Sequence, residues 1–126
     1  MTLEEFFDGK EKSRQLFDMV SRAVSVSGAF ELQVSKSQIA YKADKVFAWV
    51  WIPGKYITST VPLVLSVSLP ARDSSRRWKQ IVEPACGRFM HHLELNAAEE
   101  VDDEVITWLN QAREFASQPR QKYSVK

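Results

Sequence analysis

The sequence predicts an α+β domain in two layers, an antiparallel, meander-like sheet of about five strands flanked by an N-terminal and a C-terminal helix. Three observations predict it. A stretch near each end repeats its apolar residues at helical period. Between them, apolar and polar residues alternate with the period of two that a strand with one dry face requires. The turns joining these strands are too short for parallel crossovers.

The elements follow in order. Thr2-Leu3-Glu4-Glu5 has the form of a capping box, in which hydroxyl and carboxylate satisfy free backbone N–H groups at a helix start. Asp8-Gly9 interrupts that first helix, and Asp8-Gly9-Lys10-Glu11 offers a second box. Leu16, Phe17, Val20, Ala23 and Val24 then form one apolar stripe, and Gly28 suits the end of the helix. From Phe30 to Ile52 lies the densest run of strand formers. Phe30, Leu32 and Val34 alternate with Glu31 and Gln33, and Ile39 and Tyr41 continue the pattern after a Ser35-Lys36-Ser37 turn. Val46 to Ile52 is apolar throughout, which predicts a central strand packed on both sides.

Pro53-Gly54-Lys55 closes that strand. An extended piece runs from Tyr56 to Leu69, with Leu63, Leu65, Val67 and Leu69 on one face and Val64, Ser66 and Ser68 on the other. A charged loop covers Pro70 to Gln80. Pro84 and Gly87 make 81–87 an irregular connector. Arg88 to Leu95 reads as the last strand. Asp102 is a good N-cap for the final helix, with Val101 and Ile106 placed as a hydrophobic staple. Pro119 ends that helix. The expected division is one domain over residues 1–118 and a mobile basic tail over 119–126.

Composition narrows the classes of function. A chain of 126 residues suits one core, and 44% hydrophobic with 26% charged residues is ordinary for a globular protein. A net charge of +1 lacks the bulk excess of a dedicated nucleic-acid binder, so a role there must rest on local patches. One cysteine, Cys86, rules out an intrachain disulfide framework and a multi-cysteine zinc site, and suits a reducing compartment. The acidic N-terminus does not read as a signal peptide, and no apolar run has the roughly 20 residues of a membrane span. The expectation is a cytoplasmic protein with no membrane partner.

Several segments carry a family resemblance. Leu3-Glu4-Glu5-Phe6-Phe7-Asp8-Gly9-Lys10, Lys36-Ser37-Gln38-Ile39-Ala40-Tyr41 and Phe47-Ala48-Trp49 are similar to the bacterial and archaeal domain family DUF5655. His91-His92-Leu93-Glu94-Leu95 and Val101-Asp102-Asp103-Glu104-Val105 are similar to it as well. The resemblance spans residues 3 to 116 or so. It implies a helix–sheet–helix layout and brings no known catalytic motif with it.

Four constellations could carry chemistry, each beside a plainer reading. His91 and His92 are adjacent on a strand and so face opposite ways, which prevents both from binding one metal. His91 falls with Phe89 and Leu93, as a hydrogen-bonded core histidine would. His92 falls with Arg88 and Glu94 and could act as acid or base, or simply face solvent. Lys36, Gln38 and Lys42, if joined by Arg88 and His92, could take a small anion; lysine on an edge also blocks aggregation. Arg72, Arg76, Arg77 and Lys79 with Trp78 could grip phosphate and stack a base, or form an ordinary charged loop. Trp49, Trp51 and Trp78, with Phe47 and Tyr56, are either core or a surplus apolar surface that suits a homodimer. Phe47, Trp49 and Trp51 share one face by strict alternation.

No Gly-rich phosphate loop, nucleophile elbow or metal motif is present in the sequence, and no cofactor is implied. A catalytic role for Cys86 would need a nearby base. The leading expectation is a non-enzymatic binding or interaction module for a protein partner, a second copy or a small anionic ligand. The alternatives are a nucleic-acid accessory module using the 72–79 loop, and an enzyme using His92 with Arg88 and Glu94.

Overall fold

The computed structural model describes residues 1–55 and 58–119. Tyr56 and all of the expected tail except Pro119 fall outside them. Two helices come first, α1 (Leu3–Phe6) and α2 (Glu11–Ser25). Six strands follow: β1 (Glu31–Val34), β2 (Ile39–Lys42), β3 (Val46–Trp51), β4 (Leu63–Leu69), β5 (Gln80–Ala85) and β6 (Arg88–Leu95). The last helix is α3 (Asp103–Ser117). The strands form one antiparallel sheet in the order β1-β2-β3-β4-β6-β5. This is the α+β class read from the sequence, with one more strand.

That extra strand is β5, where an irregular connector was expected. Pro84 does not prevent pairing because β5 is the sheet's outer edge, where one side of the backbone needs no partner. The register shifts between Val82 and Ala85 accommodate it. Gly87, at φ 75°, makes the tight turn back into β6. The strand order departs from a plain meander for the same reason: the 70–79 connection carries the chain past β6 to the far edge.

The helix ends show how local sequence sets local structure. Thr2 and Glu5 form the reciprocal capping box, Thr2 N–H donating to Glu5 Oε1 at 2.9 Å and Glu5 N–H to Thr2 Oγ1 at 3.1 Å. The second expected box does not form. Gly9 adopts φ 70°, α2 starts later, and its N-cap Lys10 makes no side-chain cap bond. Asp102 caps α3 by accepting from Val105 N–H at 3.2 Å, and Val101 and Ile106 both pack against the core.

Both long helices lie on one side of the sheet, α3 across β3 and β4 and α2 beside α3. Leu16, Val20 and Val24 of α2 and Val105, Leu109 and Ala112 of α3 are buried against Ile39, Val50, Leu65, Val67 and Leu93. Burying each large aliphatic side chain contributes roughly 1.5–3 kcal/mol. β3 is central, as expected, but helices cover only one of its faces.

A bulge decides which face its aromatics occupy. Tyr41 pairs with Ala48 while Lys42 pairs with Val46, so Phe47 is an extra residue in β3. Alternation breaks there. Phe47 turns into the core, 1% exposed, with the Arg113 guanidinium 4.9 Å from its ring centre. Trp49 and Trp51 point to the opposite face, so the three aromatics do not share one side.

The 70–79 connection, read from the sequence as a charged loop, is held down by its own side chains. Trp78 is buried, its ring 4.2 Å from Trp108 and 4.8 Å from His91. Its Nε1–H donates to Asp73 Oδ2 at 2.9 Å. Arg77 donates to Asp102 and Glu104 and to the Glu100 carbonyl, the last at 2.8 Å, and lies over the Trp108 ring. Trp78→Ala is therefore expected to lower the free energy of unfolding by about 3–5 kcal/mol in urea titrations. Trp49→Ala, on the half-exposed face, is expected to cost less; equal losses would contradict this packing.

Candidate functional site

Register across the sheet builds the site. Gln33, Ala40, Trp49, Ser66, His92 and Gln80 stand in line, one from each strand, on the face away from the helices. From Gln33 to His92 large residues alternate with small ones along this row. Ala40 and Ser66 are 6% and 3% exposed although no helix covers them. Trp49 stands between the two in register and Trp51 bonds Ser66, while Trp49, Trp51, Met90 and His92 are half-buried.

A concavity of about 450 Å³ opens on this face, lined by Gln38, Trp49, Trp51, Ser66, Met90 and His92 with Ser37 at its rim. Inside it three polar groups connect. Trp51 Nε1 lies 3.0 Å from Ser66 Oγ, and Ser66 Oγ lies 2.6 Å from His92 Nδ1. The Trp51 and His92 rings meet edge to face. Trp49 is also a wall of a second, larger concavity of about 930 Å³ at the end of the sheet, bordered by Lys45, Ser68, Cys86 and Arg88. The larger one wraps around the rim of the sheet as far as Pro119, the last described residue, whereas the smaller one has converging polar groups. Among the described residues, Lys45 and Arg88 are the charged groups lining the two, and neither lining contains a carboxylate.

The expected anion set is thus split. Gln38 and His92 meet in the smaller concavity, while Arg88 stands beyond Trp49 with Lys45. Lys36 sits in the turn between β1 and β2. Lys42 and Glu94 share the open face by register but line neither concavity. Ser66 was not singled out by sequence, and Trp51 was named there only among the aromatics, with no polar partner. A serine among apolar residues of a central strand, on the face opposite Leu65 and Val67, is the signal that pointed to it.

The other constellations resolve differently. His91 is fully buried on the helix side. Its Nδ1 lies 3.1 Å from the Phe89 carbonyl, and its Nε2 accepts from Asp73 N–H at 3.0 Å, as the core-histidine reading expects. Of the basic loop, Trp78 is no exposed stacking platform and Arg77 is held by carboxylates. Arg72 lies over the Phe89 ring, and Arg76 and Lys79 remain exposed. Cys86 is exposed in the β5–β6 turn. No group of three His, Cys, Asp or Glu among the described residues could hold a metal ion, and no helix among them is long and apolar enough to cross a membrane.

The architecture defines a helix-backed antiparallel sheet whose other, tryptophan-bearing face is left uncovered by the described residues. A family model described as Domain of unknown function (DUF5655) matches residues 3–116, and the chain belongs to that family. No curated protein and no solved structure matches it.

Electrostatics bears on both histidines. Burial holds the His91 and His92 imidazoles below their ordinary value of 6.5, and for His92 the neighbouring His91 adds to the effect. Burial pushes the Asp73 carboxyl up, but hydrogen bonds from Trp78 and the Ser75 N–H win and hold it below its ordinary value. As pH falls, the unfolded chain takes up protons at its histidines before the folded one does. The stabilisation they contribute is present above the unfolded value and is lost as pH falls from there to the depressed folded values. Thermal midpoints are expected to fall between about pH 7.5 and about pH 5.5, and His92→Gln to flatten that slope. An unchanged slope in the variant would show that His92 titrates alike in both states.

Proposed function

We propose that the chain is a non-enzymatic binding module whose uncovered sheet face takes a small ligand with a flat apolar body and an anionic edge. The observation that carries this is the concavity of about 450 Å³ between Trp51, Trp49, Met90 and His92. Small-ligand sites are concave, mostly apolar, a few hundred Å³ in size, and furnished with a few convergent polar groups. The tryptophan and methionine surfaces suit a flat ring. Lys45 and Arg88 beyond Trp49, unopposed by carboxylates in either lining, favour negative charge.

The other readings have less support. An oligonucleotide-binding loop over 72–79 would need Trp78 free to stack, and that ring is packed against Trp108 and His91. An enzyme built on His92 would need a partner group. Glu94 lies on the same face but outside the concavity, and the hydrogen bond of the His92 ring goes to Ser66. Self-association would use the same tryptophans, with flat burial of both copies in place of a ligand.

The test is a two-dimensional amide and indole NMR titration of the full chain with a collection of flat aromatic carboxylates. The expected shifts cluster on Gln38, the Trp51 indole, Ser66, Met90 and His92. Shifts that gather elsewhere, or light scattering that shows a salt-insensitive dimer protecting these same signals, would replace the small-ligand reading with another.

A further inference from the structure

The polar atoms in the concavity admit one consistent direction of hydrogen bonding. An indole Nε1–H can only donate, so Ser66 Oγ accepts from Trp51 at 3.0 Å. The Ser66 hydroxyl proton then needs an acceptor, and Ser66 is 3% exposed. His92 Nδ1, 2.6 Å away, is the acceptor in place. The opposite arrangement, with Nδ1–H donating to Ser66, would give that oxygen two donors and leave its own proton buried without a partner. A neutral imidazole that accepts at Nδ1 carries its proton on Nε2. Among the described residues that nitrogen has no hydrogen-bond partner, and it is not one of the buried polar atoms left without one. It therefore opens onto the concavity.

This arrangement also tells against Ser66 as a nucleophile. Its oxygen is covered, and its lone pair faces the Trp51 N–H. What the three residues expose is a hydrogen-bond donor on a ring held in place by its neighbours.

We propose that Trp51, Ser66 and His92 form a one-way relay presenting His92 Nε2–H as the recognition group, which selects flat aromatic ligands bearing an acceptor oxygen, carboxylates foremost, over those bearing an ammonium. Trp51 and Ser66 are positioning residues; His92 is the residue that touches the ligand. The selectivity rests on the small-ligand reading above, whereas the relay itself does not. Lys45 and Arg88 beyond Trp49 favour the same class of ligand by charge.

Two measurements separate the parts. Long-range proton–nitrogen NMR of the imidazoles in the full chain, without ligand, reads the tautomer directly. The expected result is a His92 proton on Nε2 and a bare Nδ1, giving way to a tautomer mixture in Ser66→Ala. A proton on Nδ1 in the unaltered chain overturns the relay. The second measurement titrates 2-naphthoate against 2-naphthylmethylammonium. Naphthoate is expected to bind the unaltered chain in preference to the amine, to weaken about tenfold in His92→Leu, and to recover in His92→Gln, whose amide restores an N–H donor. Equal binding of the two probes, or no recovery with glutamine, overturns the selectivity. If neither probe perturbs the open face while the Nε2 tautomer is present, the small-ligand reading fails and the selectivity with it, but the relay stands.

Discussion

One inserted residue governs how this sheet uses its aromatics. Without Phe47 as an extra residue, strict alternation along β3 would put three large rings on one side. The bulge gives Phe47 to the helix side, where it packs beneath Arg113, and leaves the two tryptophans for the open side. The core gains a filled position near α3, and the open face keeps two rings beside Ala40 and Ser66. Trp49 and Trp51 thus line the concavity and Trp51 reaches Ser66, while the alternation of β6 brings His92 to the same side.

Arg113 ties the two helices at the other end of the same contact. Its guanidinium donates to the Ala29 carbonyl at 2.9 Å and to the Gly28 carbonyl at 3.2 Å, beyond the last turn of α2. A cation is well placed near a helix C-terminus, where backbone carbonyls lack intrahelical partners. The site on the far face thus depends on a helix layer fastened from beneath.

Much of this was legible in the sequence where periodicity and capping chemistry act locally. The apolar stripe of α2, the Thr2–Glu5 box, the Asp102 cap and the alternation of β4 all read directly. So did the assignment of His91 to the core side and His92 to the other, because strand geometry alone separates neighbours. What stayed hidden depends on distant partners. Nothing local distinguishes a bulged Phe47 from an alternating one. Pro84 and Gly87 signal a break in a strand unless the strand is known to lie at an edge. The 72–79 segment looks like a solvated basic loop because its charges are visible in sequence, while Asp102, Glu104 and Trp108, which hold it, come some 25 residues later. Ser66 was placed on the right face, but its bonds to Trp51 and His92 come from other strands.

The four tryptophans fall into two pairs with different optical fates. Trp78 and Trp108, rings 4.2 Å apart and nearly shielded from water, are close enough for their excited states to couple. Trp49 and Trp51 stand half in solvent on the opposite side of the sheet. The protein therefore carries two built-in reporters. Circular dichroism from the inner pair registers whether the 70–79 connection is seated on α3, and emission that a small neutral quencher can reach registers the state of the outer pair. Events on the two sides of one sheet can be followed separately without attaching a label.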